Sequence, residues 1–307
     1  MLVKTRYFLY FYCIFFAATG CNNDNPASTD TLPKNGTTIN FVINEFGMHN
    51  LRTGEFYFLW LKIAPDTIWK AEQPLTIKYS SNLAVMVGTL TGNITIDSIN
   101  NVLVTIEQKK DPLIPGTPIL QSRDFYFDSV HKTSSAFLDH SKLFADYSAL
   151  QGSLVFTSKS SDSLAYTHEF YLMNLQGATQ TASLTSLPTP PTGWKYGLWA
   201  EDTSFTPHQY FFYGLFSTPT GHDSDSTNDY YPFPGGWKIQ QMNMPRGSII
   251  VTLEPLSYGD SLKYIGPSPF TLLTFNRMRF IDKNKNYLMT NISGATIPAG
   301  SITFQKF

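Results

Sequence analysis

The chain has 307 residues, and its 22 basic and 23 acidic residues leave a formal net charge of −1. Without a basic excess or a basic stripe, there is no electrostatic case for a nucleic-acid partner. Aromatic and charged residues each make up 15% of the chain, a balance typical of secreted β proteins whose strands carry Tyr, Phe and Trp. The length fits two domains better than one.

The N-terminus has the pattern of a secretion signal. Lys4 and Arg6 precede an apolar and aromatic run over residues 7–17, which is too short to cross a bilayer of roughly 30 Å as a helix. Small residues at 18–20 then lead into Cys21. This arrangement resembles the lipobox of bacterial lipoproteins, in which the cysteine thiol receives a diacylglyceryl group and becomes the mature N-terminus.

We therefore predict a signal peptide over 1–20 and lipidation at Cys21, with an ordinary signal peptide and an unmodified thiol as the alternative. Cys13 lies inside the signal, so the mature chain has no free thiol for disulfides or thiol catalysis. Cleavage removes two of the 22 basic residues, which leaves 20 against 23 acidic ones, a net charge near −3. Residues 21–38, rich in Asn, Asp, Ser, Thr and Pro, are predicted to be a disordered tether.

Beyond the tether, apolar residues recur with a period of two, which predicts strands. Short β-branched or aromatic runs lie at 39–43, 55–61, 94–96, 101–107, 153–157, 170–175, 210–216, 248–254 and 301–304. A single helix is predicted over 135–150, where apolar residues stand at mixed helical spacing. The pattern as a whole predicts an all-β fold.

Four short phrases occur twice in the same order, which indicates two copies of one domain. They lie at 51–60 and 191–199, at 88–90 and 214–216, at 104–108 and 251–255, and at 115–118 and 265–269. The repeated residues are Tyr57, Leu59, Trp60, Gly88, Val104 and Glu107 in the first copy and Tyr196, Leu198, Trp199, Gly214, Val251 and Glu254 in the second. We predict a first β-sandwich repeat over 39–148 and a second over 149–307.

Alternation within the first repeated strand assigns its two faces. Tyr57, Leu59 and Leu61 share one face, and Phe58 and Trp60 share the other, as in a strand covered on both sides. We predict that Trp60 and its counterpart in the second copy anchor the sandwich core, in preference to stacking on a ligand.

The third phrase raises the question of catalysis. In 104–107, Val104 and Ile106 are predicted to point inward, and Thr105 and Glu107 outward. A repeated glutamate suits general acid or base chemistry, but no second carboxylate lies at a fixed offset in both copies. We therefore predict no catalytic role for Glu107 or Glu254.

These phrases together resemble the C-terminal, extracytoplasmic domain of anti-sigma-K factors. The second copy carries the fuller set, whereas Leu90, Gln108 and residues 109–111 of the first replace a Phe, a Pro and a glycine loop. The resemblance implies immunoglobulin-like β-sandwiches outside the cell, which in that family are tethered to a cytoplasmic segment that binds a sigma factor. This chain has no such segment after its signal, so we expect the sensory or adhesive half of such a system, lipid-anchored.

One tetrapeptide suggests a hydrolase. Gly259-Asp260-Ser261-Leu262 matches the nucleophile block of a large esterase and lipase family, which also needs a later Asp-x-x-His. No His follows Leu262, and the tetrapeptide falls where the repeat places a turn. We therefore predict a turn here, and no nucleophile.

Metal binding has weak support. Asp223, Asp225, Asn228 and Asp229 offer oxygen ligands at alternating spacing beside His222, but the Gly and distal Glu of an EF-hand are absent. We predict a solvated acidic loop, with Ca²⁺ as the alternative. The six histidines, His49, His131, His140, His168, His208 and His222, show no zinc-ligand spacing. No cofactor is predicted.

The sequence thus predicts a non-enzymatic, lipid-anchored binding or sensing module of the bacterial cell envelope, attached to the outer membrane or to a membrane facing the periplasm, with an unknown protein or glycan ligand. The alternative is a carbohydrate-binding or uptake lipoprotein. In that alternative Tyr230, Tyr231 and Trp237, in the aromatic loop 229–237, stack on sugars.

Overall fold

Antiparallel β-strands make up the regular structure of the described residues, apart from two short helical turns. The computed structural model describes residues 37–46, 51–63, 67–70, 74–75, 77–80, 83–92, 95–110, 112–141, 143–157, 169–203, 205–220, 233–236, 247–256, 266–276 and 282–306. The prediction of an all-β fold is confirmed. Within those ranges, no helix combines the length and the apolar character that crossing a membrane requires.

The largest sheet contains the strands of the first predicted repeat. They are β1 (Thr37–Phe46), β2 (Phe56–Ile63), β3 (Thr67–Lys70), β4 (Ile77–Ser80), β5 (Leu83–Gly92), β6 (Ile99–Glu107), β7 (Thr117–Asp128) and β8 (Thr133–Asp139). A strand is predicted over 94–96, but a 3₁₀ turn (Ile96–Ser98) begins there and precedes β6. The sheet is completed from the far end of the chain.

That completing strand is β20 (Ala299–Lys306), and the nine-stranded order is β3-β2-β6-β7-β8-β20-β1-β5-β4. Ser301 of β20 pairs with Phe137 of β8 on one side and with Asn44 of β1 on the other. Ile302 and Phe304 of β20 are fully buried. Residues 149–307, predicted as the second repeat, therefore contribute a central strand to the sheet of the first.

The remaining strands form three smaller sheets. They are β9 (Ser153–Thr157), β10 (Glu169–Tyr171), β11 (Met173–Gln176), β12 (Thr179–Ala182), β13 (Trp194–Asp202), β14 (Gln209–Phe216), β15 (Gly235–Gly236), β16 (Gly247–Pro255), β17 (Thr271–Asn276), β18 (Asn286–Leu288) and β19 (Thr290–Asn291), with helix α1 (Ser293–Thr296) before β20. The sheet orders are β14-β13-β16-β17-β19, β15-β10-β9-β18 and β11-β12.

One hydrophobic core joins the two predicted repeats. Leu59 and Val104 from the first repeat belong to the same buried cluster as Leu198 and Val251 from the second. The sheets therefore pack in a sandwich-like arrangement around common apolar side chains, whose removal from water supplies the main driving force for folding.

The helix predicted over 135–150 is wrong. In β8, Ser134, Ala136 and Leu138 are buried and the residues between them point to the opposite face, which is the period of a strand. The described residues of 140–150 form turns and irregular segments. Pairing of β8 with β7 and β20 outweighs the weak local helical spacing.

Candidate functional site

The first and third repeated phrases form two matching strand pairs. In the pair β2–β6, Leu59 lies opposite Val104, and in the pair β13–β16, Leu198 lies opposite Val251. The neighbouring strands match too, since β3-β2-β6-β7 and β14-β13-β16-β17 have the same order. The register also shifts at the same point in both copies, directly after Val104 in the β6–β7 pair and directly after Val251 in the β16–β17 pair.

The turn before each motif strand is also the same. Gly54 and Gly193 have φ angles of +90° and +84°, the left-handed conformation that the third position of a type II turn requires and that glycine adopts without strain. A backbone hydrogen bond of 3.0 Å closes each turn: the N–H of Glu55 donates to the Arg52 carbonyl, and the N–H of Trp194 donates to the Pro191 carbonyl.

A buried hydrogen-bond network surrounds the first repeated glutamate. Glu107 Oε1 accepts from the indole N–H of Trp60 at 3.2 Å and from the backbone N–H of Gly116 at 2.7 Å. Thr105 donates its hydroxyl to the same oxygen and accepts from the Trp60 indole at 2.8 Å. One carboxylate thus joins the motif strand β2, its neighbour β6 and the segment that enters β7.

The second glutamate has the same partners in the second copy. Glu254 Oε1 accepts from the indole N–H of Trp199 at 3.0 Å, from the Thr252 hydroxyl and from the backbone N–H of Ser268 at 3.0 Å. Thr252 and Glu254 are completely buried. The Trp-Thr-Glu arrangement is therefore present in both copies.

This burial corrects two predictions. Thr105 and Glu107 were predicted to point outward, but their exposed fractions are 0% and 5%, because the second face of the motif strands is covered as well. Trp60 and Trp199 are buried as predicted, yet both stand outside the main core cluster. Each indole needs an acceptor for its N–H, and Glu107 and Glu254 supply one on this second face.

Arg52 links the two copies. It lies in the turn before β2, and its guanidinium donates to Glu254 Oε2 of the second copy. Its backbone N–H donates to Glu55 Oε2 at 3.0 Å, and Nη1 lies 3.6 Å from Glu55 Oε1. The side chains of all three residues are at most 4% exposed, so this is a buried charge cluster.

The environment of Glu254 disfavours its charge. Burial raises the pKa of Glu254 above its ordinary value of 4.5, while the Arg52 charge and the hydrogen bonds from Thr252 and Ser268 oppose that rise. A carboxylate removed from water needs a counter-charge and donors to remain ionised. Arg52 supplies the counter-charge from the other copy.

The copies differ at the position between the motif Tyr and Leu. Phe58, completely buried, lies opposite Thr105 in the first copy, and Gly197 lies opposite Thr252 in the second. A Cβ added to Gly197 would lie 2.6 Å from Glu254 Cγ and 2.8 Å from Trp199 Nε1. The Glu254 side chain therefore occupies the space that a side chain at 197 would need.

Two of the repeated phrases do not match in space. Gly214 pairs with Leu198 of the motif strand, but Gly88 lies in β5 opposite Phe41, because β3 takes the corresponding place beside β2. The fourth phrase is displaced by two residues, since Pro118 lies opposite Thr105 whereas Thr271 lies opposite Thr252.

These carboxylates connect strands and segments that are distant in the sequence. Each repeated glutamate directs one oxygen at three donors on separate segments. A cavity of about 750 Å³ lies beside Glu107 and is lined by residues 106–109 and 112–117, of which Leu113 and Ile114 are largely exposed. Glu107 is part of the wall of this cavity, and its Oε1 accepts the hydrogen bonds from Trp60, Thr105 and Gly116.

Two exposed aromatic residues lie on the outer face of the nine-stranded sheet. Tyr126 of β7 and Phe137 of β8 are 67% and 68% exposed. They share the outer face with Arg123, which lies directly opposite Phe137, and with Ser135, which lies directly opposite Tyr126. We call these four residues, together with Asp139, Ser301 and Thr303 on the same face, the outer platform.

A β-bulge in β7 places Tyr126 on that platform. The register shifts between Arg123 and Tyr126, so that residues 124 and 125 together oppose Ala136. Without the extra residue, alternation from Arg123 would turn Tyr126 inward and Phe125 outward. Phe125 instead packs against the core. The bulge thus brings a second aromatic ring to the face that carries Phe137.

The platform carries a fixed ion pair. Arg123 Nη1 lies 2.9 Å from Asp139 Oδ2, diagonally across the β7–β8 pair. Sequence reasoning missed Asp139 and Phe137 because a helix is predicted over 135–150, and it missed Arg123 because no strand is predicted over 117–128. The signal that would have found them is the strict alternation of Ser134 to Leu138, which leaves Phe137 on the polar face.

Several predicted residues lie outside the described residues. They are Cys21, Ser261, Asp223, Asp225, Asp229, Tyr230, Tyr231 and Trp237, and the predictions made for them stay predictions. In the described part of the chain, no three His, Cys, Asp or Glu side chains converge on a point where a metal ion could bind. The described histidines contact Asp128, the Pro298 carbonyl and Glu201.

Comparison with known proteins adds no relative. No family model, no curated protein and no solved structure matches this chain.

Proposed function

We propose that this protein is a lipid-anchored binding module of the bacterial cell envelope that carries out no chemical reaction. The observation that carries the proposal is the outer platform, where two exposed aromatic rings stand on the polar face of β7 and β8, and Ser134, Ala136 and Leu138 are buried on the opposite face of β8. Exposed apolar groups framed by polar side chains mark interaction sites. The β-bulge that turns Tyr126 outward also supports a binding role for this face, because bulges often re-aim a side chain at a functional site.

The anchor is proposed from the N-terminal pattern that ends at Cys21. The resemblance of the repeats to the extracytoplasmic domain of anti-sigma-K factors supports an envelope location and a sensing role. The two Trp-Thr-Glu networks and the Arg52 cluster support a rigid module, because they tie strands of both copies together with buried charge-assisted hydrogen bonds.

The anchor is tested by cell fractionation of wild type and Cys21→Ser. We expect the wild-type protein in the membrane pellet, and the variant in the soluble fraction with unchanged resistance to protease. Membrane association that survives the substitution would contradict the lipoprotein assignment.

The binding role is tested with purified Cys21→Ser protein and isolated cell envelopes in a sedimentation assay. We expect the further change Tyr126→Ser with Phe137→Ser to release the protein from the envelopes. Phe205→Ser is the matched control, since Phe205 is an exposed aromatic residue in the turn between β13 and β14. Equal retention of all three proteins would refute the proposed binding surface.

A further inference from the structure

We infer that the outer platform binds a neutral oligosaccharide chain, with Tyr126 and Phe137 stacked against sugar rings. This inference rests on the proposed binding function and names its ligand class. It places the aromatic contacts on the nine-stranded sheet, and not in the loop 229–237.

The two aromatic residues are diagonal neighbours on one face of the β7–β8 pair. Phe137 and Ser135 are two residues apart on β8, and Tyr126 lies directly across from Ser135. Such diagonal neighbours lie about 7–8 Å apart. A pyranose ring presents a flat face of C–H groups, which packs against the negative face of an aromatic ring. Both platform rings are two-thirds exposed, so a sugar has access to them.

The polar frame favours hydroxyl groups over charged ones. Arg123 and Asp139 form an ion pair at 2.9 Å, so at this place the frame offers donors and acceptors whose charges offset each other. Ser135, Ser301 and Thr303 add hydroxyls on the same face. An anionic ligand would have to compete with Asp139 for Arg123, whereas a sugar hydroxyl is able to donate to Asp139 and accept from Arg123.

The platform is formed before any ligand arrives. β8 is paired along both edges, with β7 and with β20. The turn between β7 and β8 is held by Asp128, whose carboxylate accepts from the backbone N–H of Val130 at 2.8 Å and of His131 at 3.1 Å. A rigid site avoids most of the ordering cost of binding, which matters for ligands as polar as sugars.

Two other occupants fit less well. Because β7, β8 and β20 are interior strands, a peptide cannot add to them as a further strand. A stable pair of chains buries about 800 Å² on each partner, with an apolar centre. Two separated rings among Ser, Thr, Arg and Asp do not provide such a centre.

The test is native affinity electrophoresis of the full chain with Cys21→Ser, in gels that contain a soluble β-glucan, a mannan, a xylan or the acidic polygalacturonate. We expect at least one neutral polysaccharide to retard the protein. Phe137→Leu keeps an apolar side chain but loses the ring, and should weaken binding about tenfold, as expected for one stacked ring. Phe137→Tyr keeps the ring and should bind as wild type, as should Phe205→Leu.

Three results would overturn the inference. They are retardation by no neutral polysaccharide, retardation by polygalacturonate alone, and wild-type binding by Phe137→Leu. Light scattering that shows a dimer lost in Phe137→Leu would instead identify the platform as a self-association surface. If no polysaccharide binds but envelope sedimentation still depends on Tyr126 and Phe137, the ligand class is wrong and the binding function stands.

Discussion

Arg52 gives the sharpest test of how the two copies are held together. The change Arg52→Met keeps the length of the side chain and removes its charge, which leaves Glu254 and Glu55 buried without their counter-charge. The side chains of Arg52 and Glu254 are 4% and 0% exposed. Removing one partner from a buried ion pair costs about 3–5 kcal/mol, and we expect a loss of that size at neutral pH.

The loss should depend on pH in a defined direction. Burial already raises the pKa of Glu254, and loss of Arg52 raises it further. The folded protein then keeps a proton on Glu254 to a higher pH than the unfolded chain does, so the free energy of unfolding falls as pH rises from about 4.5 through the raised pKa. The slope is at most about 1.4 kcal/mol per pH unit for one such group.

The assay is urea unfolding at pH 4.5, 6 and 8, followed by tryptophan fluorescence, because the Trp199 indole contacts Glu254 directly. The double variant Arg52→Met with Glu254→Gln should recover much of the loss at pH 8. Arg123→Met is the matched control, since the exposed Arg123–Asp139 pair contributes at most about 1 kcal/mol. A loss in Arg52→Met that is the same at all three pH values would refute the reasoning.

Three further predictions concern single sites. Trp60→Ala and Trp199→Ala should each lower the free energy of unfolding by about 3–5 kcal/mol, the cost of emptying a large aromatic site, and a loss below about 1 kcal/mol in urea unfolding would contradict their buried role. Gly197→Ala should lower the free energy of unfolding by about 1–3 kcal/mol, because the added methyl group overpacks against Glu254. An unchanged urea midpoint would show that the strands accommodate the methyl group without cost. Ser261→Ala should leave folding and binding unchanged, because an unassisted hydroxyl is a poor nucleophile. Hydrolysis of a short-chain nitrophenyl ester that this variant loses would reinstate a hydrolase.

The sequence predicted well what depends on local alternation. Short β-branched and apolar runs predicted strands such as β9 and β16. The repeated Gly-x-x-Tyr-x-Leu-Trp phrase predicted matching strands, whose registers agree residue by residue around Leu59 and Leu198. Both follow from short-range geometry, because a strand's faces are set by neighbouring residues.

What the sequence missed depends on contacts between distant segments. Alternation assigned Glu107 and Glu254 to a face, but it could not show that this face is covered. The Arg52–Glu254 contact joins residues 202 positions apart, and no periodic signal marks such a pair. The bulge before Tyr126 arises from the pairing of β7 with β8, so counting residues along β7 alone assigns Tyr126 to the wrong face.

The position of β20 has a consequence for the order of folding. Ser301 pairs with Asn44 across 257 positions of sequence, 301 minus 44. Until residues 299–306 are available, β1 and β8 each have one open edge. Such long-range pairing is slow, and unpaired edges invite association with other chains. A chain that stops before residue 299 would therefore leave both edges permanently open. Only a chain that contains residues 299–306 can complete the nine-stranded sheet, so a product truncated before them should aggregate while one that includes them folds.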